Sequence, residues 1–154
     1  TVCIAYSKSV ISPRDLRFAR LRGETWEETV VLANEYWVTF RPPRLTESGL
    51  GRILVNAGGE IGLAREMSES NWEWLPVEGV PEDSGGVSFA LSPGGAEAVF
   101  FAAKEPDYPE GRLLWYSDSS WHYVSVPGGV KGELMFHPDG YPVVVSPRAI
   151  AAYR

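Results

Sequence analysis

Three stretches of the chain repeat one pattern, and that repeat limits the fold more than any other feature. They are Thr25-Trp26-Glu27-Glu28-Thr29-Val30-Val31, Asn71-Trp72-Glu73-Trp74-Leu75-Pro76-Val77 and Ser120-Trp121-His122-Tyr123-Val124-Ser125-Val126. Each sets Val five residues after a leading Trp, and each follows a short apolar segment and a polar turn. The leading Trp residues are spaced 46 and then 49 residues apart. A fixed period of this size means stacked copies of one supersecondary unit.

The segments between them read as strands. Short apolar runs are broken by Gly, Pro, Asn, Asp and Ser, and helical periodicity is almost absent. One unit divides into four strands, a to d. Strand a ends in an apolar residue, a spacer and Pro: Phe40-Arg41-Pro42, Leu91-Ser92-Pro93 and Phe136-His137-Pro138. Pro93-Gly94-Gly95 and Pro138-Asp139-Gly140 then predict a–b hairpin turns, because Pro presets φ and Gly takes the positive-φ position. Strand b is continuously apolar: Val2–Tyr6, Ile53–Val55, Ala98–Ala102 and Pro142–Val145. Such runs suit strands covered on both faces. Strand c lies at Leu16–Arg20, Ile61–Arg65, Leu113–Ser117 and Ile150–Arg154, and strand d is the Trp–Val segment.

The chain therefore reads b-c-d, a-b-c-d, a-b-c-d, a-b-c, in units of about 1–33, 34–80, 81–129 and 130–154. The expected fold class is all-β, a single domain of β-propeller-like blades, each of four antiparallel strands. Propeller blades repeat every 40–50 residues or so. Fourteen strands make about three and a half blades, short of the roughly four that closure needs. Three explanations are open: the chain closes as an irregular small propeller, it is part of a longer protein, or two copies combine, since twenty-eight strands are enough for seven blades. The incomplete end units point to a homo-oligomer or another protein as partner, since exposed end strands invite pairing.

Asp15-Leu16-Arg17-Phe18-Ala19-Arg20 followed by Gly23-Glu24-Thr25-Trp26 resembles the repeats of sialidase-like, BNR-type propellers. Those repeats carry an Asp-box, Ser-x-Asp-x-Gly-x-Thr-Trp, at the c–d turn. The first unit keeps Gly23-x-Thr25-Trp26, with Ala19 and Leu21 where Ser and Asp belong. Ser68-Glu69-Ser70-Asn71-Trp72 and Ser117-Asp118-Ser119-Ser120-Trp121 are shortened versions. The resemblance implies a blade rhythm over nearly the whole chain. It implies no activity, since the box shapes a turn and function resides in sites grafted on folds.

Composition narrows the partners. The net charge of −6 over 154 residues argues against binding nucleic acid backbones. No apolar run is long enough for a membrane-spanning helix. A single cysteine, Cys3, excludes an internal disulfide and fits a reducing, cytoplasmic compartment. Charge is segregated, however. Arg14, Arg17, Arg20 and Arg22 cluster early, whereas Glu60, Glu66, Glu69, Glu73, Glu78, Glu82 and Asp83 crowd 60–83. These are solvated strand faces, or edges able to meet in head-to-tail assembly.

No catalytic motif emerges. Glu133 with Asp139 and Glu105 with Asp107 are the carboxylate pairs available for glycoside chemistry, and nothing nearby fixes them. His122 and His137 lack a second metal ligand at a useful spacing. Ser and Cys nucleophiles have no oriented His close by, and no Gly-x-Ser-x-Gly occurs. No cofactor is expected. The expectation is a non-enzymatic structural or binding module, or alternatively a carbohydrate-binding, sialidase-like glycan-recognition module. Candidate ligand or partner contacts are Trp37, Tyr108, Arg17, Arg20, Trp74 and Tyr123. Aromatic faces stack on sugars or partners, and Arg grips carboxylates.

Overall fold

The computed structural model describes residues 2–8, 13–35, 38–80, 84–103, 110–127, 132–145 and 150–152. All of its regular structure is β, and all pairing is antiparallel. The chain divides into two compact units, Thr1–Val77 and Glu78–Arg154.

The first unit holds two sheets. One runs β1 (Cys3–Lys8), β2 (Arg14–Arg22), β3 (Thr25–Glu35). The other runs β4 (Val38–Phe40), β6 (Gly51–Ala57), β7 (Glu60–Ser68), β8 (Asn71–Pro76), with β5 (Arg44–Leu45) also on β6. The second unit holds β9 (Ser84–Leu91), β10 (Glu97–Ala103), β11 (Glu110–Ser117), β12 (Ser120–Pro127) and then β13 (Glu133–Phe136), β14 (Pro142–Val145), β15 (Ile150–Ala152). Each sheet is a meander in which strands close in sequence are hydrogen-bonded neighbours.

One strand end differs from its sequence reading. Phe40-Arg41-Pro42 does not end the inner strand of the second sheet. Pro42 and Pro43 cannot donate to the ladder, so they interrupt an edge strand that resumes as β5. The true turn is Thr46–Leu50. There Thr46 N donates to Leu50 O (3.0 Å), Gly49 N donates to Thr46 O (2.9 Å), and Thr46 Oγ1 accepts from Leu50 N (3.0 Å). Ser92–Ala96 repeats the same three bonds, and His137–Tyr141 repeats both backbone bonds. Gly49, Gly95 and Gly140 take the positive-φ position in all three. Leu45, Leu91 and Phe136 are thus the equivalent residues, 46 and 45 apart.

Within each unit the two sheets pack face to face. In the first, Leu16 and Phe18 of β2 meet Val38, Ile53, Val55 and Ala64 of the second sheet. In the second, Ala98, Phe100, Leu113 and Val126 meet Leu134 and Val144. The register makes these packings equivalent. Phe18, Leu63 and Leu113 occupy one position, on what we term the leading face of a sheet. Ile53, Val99 and Val144 occupy another, on the trailing face. In both units, a leading face covers the next sheet's trailing face.

Candidate functional site

The alternation of β2 sends its side chains to two different environments. Leu16, Phe18 and Arg20 point into the first unit, and Arg17 and Ala19 point outward. The outward, trailing face of β1–β3 is where the molecule leaves apolar surface open. Ile4 is 46% exposed and Trp26 47%, with Val2 and Val30 similarly open. Ile4, Tyr6, Ala19, Trp26 and Glu28 line a groove of about 310 Å³ on this face. Cross-strand pairing places them: Ile4 lies opposite Ala19, and Ala19 opposite Glu28.

A polar cluster borders the groove. Tyr6 Oη donates to Glu28 Oε2, and Arg17 Nη1 donates to Glu28 Oε1. Arg17 Nη2 also reaches Asp15 Oδ2 at 3.2 Å, and Lys8 Nζ lies 3.9 Å from Glu28 Oε1. One carboxylate thus collects a phenol and two cations at the rim of an apolar floor. Such a surface suits a partner that is mainly apolar with a few polar atoms.

Directly beneath, the arginine-rich and acid-rich segments meet inside the first unit. Arg20 Nη2 donates to Glu66 Oε2 and to Gly49 O, both at 2.7 Å. Glu66 is buried and also accepts from Gly51 N (2.7 Å) and Ser70 N (3.3 Å). Arg22 bonds Glu69 and lies 2.8 Å from Glu27. Two arginines of the basic segment, Arg20 and Arg22, thus pair with two acids of the other, Glu66 and Glu69, within one chain. Burial raises the pKa of the nearby Cys3 thiol, the Arg20 charge opposes the shift, and the Glu66 charge adds to it.

The candidate residues do not converge. Arg17 lies on the outward face and Arg20 on the inward one, because a separation of three reverses direction along a strand. Trp74 packs inward over Gly62, so close that a Cβ there would lie 2.4 Å from its ring. Tyr123 belongs to the second unit, 62% exposed, with Arg112 Cζ 4.8 Å from its ring centre. Trp37 and Tyr108 lie outside the described residues, as do Glu105 and Asp107.

Contrary to the sequence reading, one Ser does have a His beside it. Ser120 Oγ lies 3.2 Å from His122 Nε2, at an exposed hairpin end where Ser120 also bonds Ser117 O. The His122 ring stacks on Trp115. His137 closes its own turn, accepting from Asp139 N at 3.2 Å. Among the described residues, no group of three or more His, Cys, Asp and Glu is placed to hold a metal ion. No helix among them is long and apolar enough to cross a membrane.

The open face was missed because its residues looked like core. Val2-Cys3-Ile4-Ala5-Tyr6 is continuously apolar, the mark of a strand covered on both sides. The signal was present, but it named a covering without saying what supplies it. No protein-family model and no curated protein matches the chain.

Proposed function

We propose that the protein is a non-enzymatic, β-propeller-like module that acts through protein contact, with the trailing face of β1–β3 as the contact surface. One observation carries this reading. β1 has the composition of a strand covered on both faces, yet Ile4, on the face turned away from the core, is 46% exposed. Ile4, Trp26, Val2 and Val30 are each about half exposed, so covering them would be worth about half of the roughly 1.5–3 kcal/mol that full burial of a large side chain contributes. Four successive meander sheets, three of them entered through the same Gly-bearing turn, support a repeat of blade-like sheets.

The test is sedimentation velocity over a wide concentration range, on the wild type and Ile4→Glu. The reading expects a mass that rises with concentration, and a variant that stays monomeric while keeping its β-sheet circular dichroism. A wild type that is monomeric throughout would contradict self-assembly.

The glycan reading has one specific observation in its favour. Trp26 stands half-exposed beside the Tyr6–Glu28–Arg17 cluster, an aromatic platform next to hydrogen-bonding groups. It expects glycan-array binding that is lost in Trp26→Ala. Silence across the array removes it.

A further inference from the structure

We infer that the partner of the β1–β3 face is a second copy of this chain, which docks through the leading face of β13–β15. The inference rests on the proposal that the first face is a contact surface, and it names the occupant.

The argument comes from repeat-equivalent positions. Ile4 is equivalent to Ile53, Val99 and Val144, all fully buried or nearly so. Only in the first sheet is this trailing-face position open. The leading face shows the converse. Ile150 pairs with Val145 as Leu113 pairs with Phe100, Leu63 with Leu54 and Phe18 with Ala5. Phe18, Leu63 and Leu113 are buried, whereas Ile150 is 74% exposed. Met135, on the same face, is also open.

The first unit therefore leaves the trailing face of β1–β3 open, and the second unit leaves the leading face of β13–β15 open. Both internal packings in this molecule join a leading face to a trailing face. The two open faces are complementary to each other by the same rule, and neither is complementary to itself. Their association is heterologous, which gives a closed ring or an open chain of copies. It is packing of faces rather than pairing of strand edges. A three-stranded face roughly 14 Å by 20 Å is small against the ~1,200 Å² of a stable interface, so each contact is weak and dilution reverses it.

Disulfide trapping tests the pairing directly. In a Cys3→Ser background, Ile4→Cys and Ile150→Cys are prepared separately, mixed at high concentration and mildly oxidised. Both sites are exposed, so neither substitution threatens the fold. The inference expects the mixed disulfide to exceed both homodisulfides several-fold. A predominant Ile4→Cys homodisulfide overturns the face matching while leaving the contact surface in place. A statistical mixture also overturns the matching. No disulfide in any combination, with Ile4→Cys alkylated equally fast at every concentration, overturns the inference and leaves the contact surface to a different protein.

Discussion

Arg20 Nη2 lies 2.7 Å from Glu66 Oε2, across the junction of the two sheets of the first unit. Glu66 also holds the backbone of Gly51 and Ser70, so it joins an ion pair to two strand ends. Phe18 lies under the guanidinium and meets Trp72 edge-on, and Trp72 Nε1 donates to Thr29 Oγ1 at 3.0 Å. Removing the carboxylate leaves a buried cation without its counter-charge. Glu66→Gln is predicted to lose about 3–5 kcal/mol in urea unfolding. Arg20→Met/Glu66→Leu together should cost much less than the sum of the singles. Additive costs would show that the pair is not coupled.

Two glycines separate close packing from mere absence of a side chain. At Gly62 a Cβ would strike the Trp74 ring, whereas at Gly86 it would meet nothing within 4 Å. Gly62→Ala should destabilise by roughly 1–3 kcal/mol through overpacking. Gly86→Ala should be neutral or gain up to about 1 kcal/mol by restricting the unfolded chain. Thermal unfolding of both variants checks the contrast, and equal effects would refute it.

The β11–β12 turn stores strain. Asp118 and Ser119 both have positive φ, at 50° and 62°, in the two-residue turn form that favours Asn-Gly. Ser119→Gly should stabilise by about 0.5–1 kcal/mol. A loss of stability in the same unfolding assay would count against the turn as described.

Cys3 links the fold to pH. Burial raises the thiol's pKa above its ordinary 9.0, against a partly opposing field from Arg20. The folded state thus holds its proton more tightly than the unfolded state. That contribution is complete below pH 9.0 and is lost as pH rises through the folded value. Wild type should lose stability relative to Cys3→Ala above that pH, and parallel pH profiles would contradict it.

Much of this architecture was legible in the residues. Trp26, Trp72 and Trp121 each stand second in their strands, β3, β8 and β12, as the repeat required. The Gly-bearing turns at Ser92 and His137 were read correctly, because Pro and Gly fix backbone angles locally. The equivalent turn at Thr46 has no Pro, so the Pro pattern at Phe40-Arg41-Pro42 marks an interruption of the edge strand and not its end. Arg17 and Arg20 were grouped by proximity, although strand alternation alone sets them on opposite faces. The exposure of Trp26 was not legible at all. A Trp at this position packs inward when another sheet covers it, and coverage is a property of the assembly, not of the strand.

The central claim is that the trailing face of β1–β3 is a surface for contact with a second copy, and hydroxyl-radical footprinting at increasing protein concentration tests it most directly. Trp26 lies on the open face of β1–β3 and Met135 on that of β13–β15, whereas Tyr123 is 62% exposed on the third sheet and serves as internal control. The account predicts that Trp26 and Met135 become protected together as concentration rises, while Tyr123 is oxidised to the same extent throughout. Unchanged oxidation of Trp26 across the whole range would contradict it.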